Sequence, residues 1–280
     1  MFVLTVHARR SDREHVKRPE GGIPGRPVRA RAWLLPVTLA LGLAGWAAAA
    51  EWGGLTDYML PSPWAVVQRG LSSLADGSLI RHAWVTLQEV LVGLGLGVAA
   101  AAGLGYLLAK SRTVERLLAP YIVASQSIPI VAIAPLLIIW FGPGRISKVL
   151  ICALIVFFPV LVNTVVGVRS VPDDLRELMR SLRATRWQTL ALLEAPAAMP
   201  VLLGGLKIGA TLSVIGAVVG EFVGADEGLG FLVNVGRGLY DTPLVFVAIF
   251  VLIALALSLY GLVAMLERRL LVWRDAADNA

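Results

Sequence analysis

The chain has 280 residues, of which 57% are hydrophobic and 16% are charged, and its mean hydropathy is +0.76. Soluble domains carry more charge and fewer apolar residues, so this composition argues against a soluble α/β protein. The formal net charge is +6, and the single cysteine, Cys152, excludes an internal disulfide framework.

Six apolar blocks follow one another along the chain, and each is long enough to cross a hydrocarbon core of roughly 30 Å as a helix. They cover residues 32–50, 87–109, 119–141, 146–168, 199–223 and 243–266. We predict an all-α membrane protein with six transmembrane helices in a domain spanning residues 32–268. The first block is expected to stay uncleaved, because the 31 residues before it exceed the charged region of a usual signal peptide.

The basic residues set the predicted orientation. Eight lie before residue 32, three in the loop 110–118, five between residues 169 and 186, and three after residue 267. The opposite side receives Arg69, Arg81, Arg145, Lys148 and Arg237. By the positive-inside rule the first side is the cytoplasm, so both termini are predicted to be cytoplasmic. Topology thus explains the net charge, and we expect no nucleic-acid partner.

The two ends of the chain differ from the apolar blocks. Residues 1–31 mix charge with Gly and Pro, which is typical of disordered segments, so we predict a disordered, basic cytoplasmic tail. Residues 269–280 are predicted to form a second, short cytoplasmic tail.

Polar side chains inside the blocks are candidates for lining a translocation pathway, because such groups at membrane depth usually face a bundle interior or a cavity. The candidates are Ser125, Gln126, Ser127, Asn163, Lys207 and Glu221. For the Ser-Gln-Ser run, hydrogen bonding between helices is an equal alternative. Lys207 is the only cation that this topology puts well inside a block. Both Lys207 and Glu221 could instead extend toward opposite membrane interfaces.

Glycine and proline add two structural expectations. Glycine runs at 93–97, 204–209 and 216–224 predict close helix packing, and Pro129 and Pro135 predict a kinked third helix. Signals for catalysis are absent from the sequence, which contains no G-x-x-x-x-G-K-[ST] phosphate loop and no metal-ligand spacing. We therefore expect no enzyme active site, no metal and no nucleotide on this chain.

The segment 172–196 is charged, although the blocks on either side of it are apolar. Pro172 followed by two aspartates is a helix-start signal. An apolar stripe follows at helical spacing, formed by Leu175, Leu178, Met179 and Leu182. A second short helix is predicted from Arg186 to Glu194, ended by Pro196. Periodicity leaves three interpretations open, namely a helix in the lipid interface, a structural elbow, or a docking element for another protein.

The same segment resembles the EAA motif, E-A-A-x3-G-x9-I-x-L-P, of permease subunits of bacterial ABC importers. The motif's residues align in order with Glu177, Leu178, Met179, Arg183, Leu193, Ala195 and Pro196. Only Glu177 and Pro196 match strictly. Arg183, at the motif's glycine, could adopt an ordinary helical conformation or add a charged contact. Runs such as ALIVFFPVLVNTVVGVRSVP and GAVVGEFVGADEGLGFLV extend the resemblance, to the nitrate/sulfonate/taurine-type branch, over residues 58–268.

The resemblance implies the type I ABC importer permease fold in the bacterial inner membrane. It also implies a homodimer of this subunit, a cytoplasmic ATPase dimer that carries ATP and Mg, and an extracytoplasmic binding protein that delivers the substrate. Closure of the ATPase dimer would be transmitted to the spans through residues 172–196. The residues expected to couple them are Glu177, Leu178, Met179, Leu182, Arg183, Arg186, Trp187 and Pro196.

The substrate is the least constrained part of the resemblance. The run from Ile128 to Gly167 resembles permeases for vitamin-type heteroaromatics, either riboflavin or the pyrimidine precursor of thiamine. Permeases for sulfonates, taurine or nitrate are the alternative. A protein of another class, an ion-coupled secondary transporter, would use Glu89, Lys207 or Glu221.

Overall fold

The computed structural model describes residues 34–54, 56 and 58–272, and the regular structure within these ranges is helical. In chain order the helices are α1 (Leu34–Trp52), α2 (Pro63–Ala75), α3 (Ser78–Lys110), α4 (Arg112–Gln126), α5 (Ile130–Phe141), α6 (Arg145–Arg169), α7 (Asp173–Ser181), α8 (Arg186–Thr189), α9 (Ala195–Gly224), α10 (Leu229–Gly238) and α11 (Thr242–Leu270). A π-helical turn, Leu190–Glu194, joins α8 to α9. The predicted tail 1–31 and residues 273–280 of the second tail lie outside the described residues.

The chain divides into two units at Gly45, within α1. In the first unit, the described residues 34–45 form a helical segment whose large apolar side chains, such as Leu39 and Leu41, are exposed. The second unit begins at Trp46 and contains the other helices. Within it, Trp46 donates a hydrogen bond from Nε1 to the Pro61 carbonyl oxygen and stacks on Phe246.

Four of the described helical stretches are long and apolar enough to cross a membrane: α3, α6, the run Arg186–Gly224, and α11. Helices α4 and α5 together would make a fifth span, although they meet at 95°. The described residues therefore support four or five spans. The first predicted span, residues 32–50, coincides in position with α1, and the count of six stays a prediction.

The third predicted span, 119–141, is broken into two helices instead of being one kinked helix. Helix α4 ends at Gln126 and α5 begins at Ile130. Pro129 has no N–H with which to continue the first helix, and its ring disfavours the helical conformation in the residue before it. Its own backbone is extended, at φ −66° and ψ 117°. Pro135, in contrast, lies inside α5 without ending it.

Helix α3 begins at Ser78, well before the predicted start at residue 87. Arg81 and His82 lower the hydropathy of the first turns, so the apolar block begins later than the helix. The turn before it depends on Gly77, whose φ of +75° is the left-handed conformation that glycine adopts readily. The earlier start places Glu89 about three turns inside the helix.

Helix α6 packs closely against both α3 and α9, and glycine makes this approach possible. A Cβ at Gly97 of α3 would lie 2.7 Å from the Ala153 carbonyl oxygen of α6. A Cβ at Gly216 of α9 would lie 2.7 Å from the Cα of Cys152. A side chain at either position would force the helices apart, so the prediction that glycine serves close packing is confirmed.

Candidate functional site

Helix α7 is amphipathic, and its apolar stripe is not covered by the described part of this chain. The helix begins after the extended Pro172, carries Asp173 and Asp174 in its first turn, and has Arg180 in its last turn. These charges suit the helix dipole at both ends. The stripe is nevertheless open, because Leu178 is 53% exposed and Leu182 is 68% exposed. Such a stripe needs a partner surface or lipid.

The turn between α7 and α8 depends on the backbone of Arg183, whose φ is +53°. The N–H of Arg183 donates to the Arg180 carbonyl at 2.9 Å, and the N–H of Ala184 donates to the Met179 carbonyl at 3.0 Å. This bonding is a Schellman motif with Arg183 at the position usually occupied by glycine. The structure therefore excludes an ordinary helical conformation for Arg183 and gives a physical reason for the motif's glycine.

Helix α8 starts with a capping box, because Thr185 Oγ1 accepts from the Gln188 N–H and Gln188 Oε1 accepts from the Thr185 N–H. Within α8, the side chain of Trp187 is 74% exposed. Like the α7 stripe, the exposed apolar side chains of this region need a partner surface or lipid. The predicted coupling residues with exposed side chains are Glu177, Leu178, Leu182, Arg183, Arg186 and Trp187, whereas Met179 is half-buried.

The second short helix of the segment 172–196 does not end at Pro196, so that prediction was wrong. The chain passes from α8 through the π-helical turn directly into α9, and Pro196 lies in the first turn of α9. The wider π turn is bonded from the Ala195 N–H to the Leu190 carbonyl, five residues back. This pattern accommodates a proline that would break a regular helix, since the helix has already changed its bonding there.

The Ser125-Gln126-Ser127 run lies at the end of α4, at the break before α5. The two hydroxyls donate to carbonyls of their own helix, those of Ile122 and Val123. They therefore form no bond between helices among the described residues. Gln126 is exposed and borders an apolar cavity of about 220 Å³ between α4 and α6.

The other predicted pathway residues lie apart from this cavity. The Asn163 side chain donates to the Pro159 carbonyl within α6 and packs against Gly205 of α9. Lys207 Nζ forms an ion pair with Glu267 Oε2 at 2.6 Å, which joins α9 to α11. Lys207 is thus paired within the bundle, and the structure does not gather the six pathway candidates into one site.

The Glu221 side chain, near the end of α9, is 1% exposed and bonds to the start of α10. Its Oε1 accepts from Thr86 Oγ1 of α3 at 2.6 Å, and its Oε2 accepts from the Gly230 N–H. The Leu229 N–H donates to Thr86 Oγ1, and the Gly228 N–H donates to His82 Nδ1. Side chains of α3 and α9 therefore satisfy the free N–H groups at the start of α10.

Glycine is required beside this carboxylate. Gly228 has a φ of +121°, and a Cβ on either Gly228 or Gly230 would contact the Glu221 carboxylate. The G-L-G sequence at 228–230 thus makes room for a buried carboxyl group as well as for a sharp turn.

A buried ion pair that was not predicted from the sequence lies next to this network. Lys148 Nζ of α6 donates to Glu89 Oε1 of α3 at 2.8 Å, and both side chains are almost fully buried. The sequence counts Lys148 with the outer side, at the start of the predicted span 146–168, but the structure buries it, so Lys207 is not the only cation inside the bundle. Glu89 itself is the sequence signal for this pair, because a carboxylate within an apolar membrane helix needs a partner.

Comparisons with known proteins identify the family. The model described as Binding-protein-dependent transport system inner membrane component matches residues 93–272. The riboflavin transport system permease protein RibX of Chloroflexus aurantiacus is 50% identical over 239 residues, which is 85% of this chain and 89% of the relative. The formylaminopyrimidine transport permease protein ThiX of Halalkalibacterium halodurans is 39% identical over 217 residues (78% and 86%). The taurine transport system permease protein TauC of Escherichia coli is 32% identical over 241 residues (84% and 88%).

A solved structure agrees with this assignment at the level of the fold. A chain from the inward-facing MetNI methionine ABC transporter matches with a TM-score of 0.62 at 20% identity, covering 70% of this chain and 97% of that chain. The relatives are non-catalytic, membrane-spanning permease subunits, and the family works with a separate ATPase and a substrate-binding protein. The chain therefore belongs to the inner membrane components of binding-protein-dependent transport systems, the permease subunits of ABC importers.

Proposed function

We propose that this permease carries a vitamin-type heteroaromatic, either riboflavin or the pyrimidine precursor of thiamine, into the cell. The observation that supports this substrate class is the gradient of identity among the relatives. RibX, named for riboflavin, is 50% identical, and ThiX, named for formylaminopyrimidine, is 39% identical, whereas TauC, named for taurine, is 32% identical. Taurine and other sulfonates are therefore the second candidate class.

The proposed assembly is a homodimer in which each subunit has six spans and both termini in the cytoplasm. This orientation would put α7 and α8 in the cytoplasm, and it follows from the distribution of basic residues. No nucleotide-binding motif occurs in the sequence, so ATP and Mg would be bound by the partner ATPase.

The proposed contact with the ATPase is the coupling face, defined as Glu177, Leu178, Leu182, Arg183, Arg186 and Trp187. Three large apolar side chains of this face are more than half exposed, and charged residues surround them. A short amphipathic helix of this kind suits a groove on a protein partner, with its apolar ridge buried and its charges at the rim. ATPase domains provide such a partner for permeases of this family.

Reconstitution tests the proposed substrate. The permease, its cognate ATPase and its binding protein are placed in proteoliposomes, and the uptake of labelled riboflavin, formylaminopyrimidine and taurine is compared. We expect ATP-dependent uptake of one of the two heteroaromatics and no uptake of taurine. Uptake of taurine alone would favour the sulfonate alternative. Uptake by the permease alone, without ATPase or ATP, would indicate an ion-coupled transporter instead.

A further inference from the structure

Glu194, the last residue of the π-helical turn, is fully buried beneath the coupling face although its side chain is a carboxylate. Lys110 Nζ donates to Glu194 Oε1 at 2.5 Å, and Tyr106 Oη donates to Oε2 at 3.1 Å. Both donors lie at the cytoplasmic end of α3. Glu194 therefore fixes the start of α9 to α3, two helices that are distant in sequence.

Arg176 of α7 forms a long ion pair with the same carboxylate but no hydrogen bond to it. Its Nη2 donates to the Val168 carbonyl of α6 at 2.7 Å, and its Nη1 donates to Asp173. Its Nε stands 4.0 Å from Glu194 Oε1, and this buried group has no hydrogen-bond partner among the described residues. An unpaired buried N–H is costly, so a small shift of α7 that closed the gap would form a strong, charge-assisted hydrogen bond.

The backbone at Glu194 is also suited to movement. The π-helical turn Leu190–Glu194 bonds five residues back instead of four, and such turns are uncommon and occur frequently at functional sites. This irregular turn links the exposed helix α8 to the membrane helix α9. A displacement of α8 that is transmitted along the chain reaches α9 through this turn.

We propose that Glu194 is a positioning residue that passes the movement of α7 to the membrane helices by exchanging its partners. In the structure described here, Lys110 holds Glu194 Oε1. When α7 shifts on the ATPase, Arg176 Nε closes on Oε1, and Lys110, whose side chain is already 43% exposed, turns toward water. The exchange gives α7 different contacts in two states, which coupling between sites requires. The inference rests on the proposed docking of the coupling face on the ATPase.

The test measures the number of substrate molecules imported per ATP hydrolysed by the reconstituted complex, with riboflavin as the probe. Glu194→Gln removes the charge and keeps the shape, and Arg176→Met removes the second partner. Both variants are expected to retain the bound ATPase but to lower the ratio by about tenfold or more. Because both changes act on one contact, the double variant should lose no more than either single variant.

Arg116→Met is the matched control, because Arg116 is an exposed arginine of α4 and is not among the described partners of Glu194, which are Lys110, Tyr106 and Arg176. It should keep the wild-type ratio. A normal ratio in Arg176→Met, whose Glu194–Lys110 pair is intact, would overturn the exchange, even if Glu194→Gln failed to accumulate in the membrane. Losses that multiply in the double variant would overturn it as well. Failure of the wild-type complex to bind its ATPase would instead contradict the proposed function.

Discussion

At the scale of single residues, Arg183 occupies a backbone conformation that glycine adopts at little cost. For a residue with a Cβ, the left-handed conformation costs roughly 1–2 kcal/mol. The conformation persists because the two Schellman hydrogen bonds that end α7 require it. The conformation of one residue thus sets the direction in which α8 leaves α7.

Arg183→Gly should preserve or raise the stability of the permease, by up to about 1 kcal/mol, because it relieves the left-handed strain. Arg183→Val should lower stability, since a β-branched residue tolerates positive φ poorly. The measurement is the midpoint of thermal unfolding of the protein purified in detergent. The control is Arg180→Gly, which lies within α7 and should cost about 1 kcal/mol. Equal losses at both positions would contradict the left-handed conformation of Arg183.

At the scale of helices, two glycines of α3 that are two residues apart have different surroundings: one packs against α6 and the other does not. Gly97 faces the Ala153 carbonyl oxygen, whereas a Cβ on Gly95 would meet no described atom within 4 Å. The same stretch of sequence, G-L-G-L-G, therefore contains one position that packing restricts and one that it leaves open.

Gly97→Ala should destabilise the protein by about 1–3 kcal/mol, because the added methyl group forces α3 away from α6. Gly95→Ala, the matched control, should be neutral or stabilising by about 0.5–1 kcal/mol, since alanine is the better helix former. The measurement is the midpoint of thermal unfolding of each variant in detergent. If Gly97→Ala were as stable as Gly95→Ala, the close approach of α3 and α6 would be wrong.

The amphipathic helix α7 leads to a prediction about assembly. Replacing both Leu178 and Leu182 by Asp should abolish co-purification of the ATPase and leave membrane insertion intact, because the changes put charge on an exposed apolar ridge. Ser181→Asp adds one negative charge to α7 outside the apolar stripe and should retain the ATPase. Retention of the ATPase by the double leucine variant would rule out the coupling face as its docking site.

At the scale of the whole molecule, Glu221 joins three helices through one buried carboxylate. It accepts hydrogen bonds from Thr86 of α3 and from the backbone of Gly230 at the start of α10, while its own backbone belongs to α9. The nearby pair of Glu89 and Lys148 connects α3 to α6. Two polar clusters thus fix the relative positions of helices that apolar contacts alone would specify less uniquely.

Glu221→Ala should lower stability by about 1–3 kcal/mol or more, because it leaves the Gly230 N–H buried and unpaired. The amides of residues 228–230 should also exchange hydrogen faster, which mass spectrometry of the exchanged protein would detect. Glu227→Ala is the control, since the Glu227–Arg81 ion pair is exposed and contributes little. Unchanged exchange in Glu221→Ala would show that this carboxylate does not hold α10.

Local features of this protein can be predicted from its sequence, whereas contacts between residues distant in sequence cannot. The exposed stripe of α7 was predicted because helical periodicity alone defines it, and the motif's glycine position was located because the alignment is local. The Glu194 cluster was missed, since its partners Lys110 and Tyr106 come from a helix more than 80 residues away in sequence. The start of α3 was also missed, because the first turns of this helix contain polar residues and have low hydropathy.

Composition and local periodicity are enough to predict a membrane protein, the positions of most apolar helices and the segment that contains the coupling face. The partners of Glu89, Glu194 and Glu221, the 95° break at Pro129 and the continuation of the helix through Pro196 become visible only in the folded chain. A buried carboxyl group needs a hydrogen-bond or ion-pair partner, and that partner can be distant in sequence. Which helix supplies that partner depends on how closely glycine lets the helices approach.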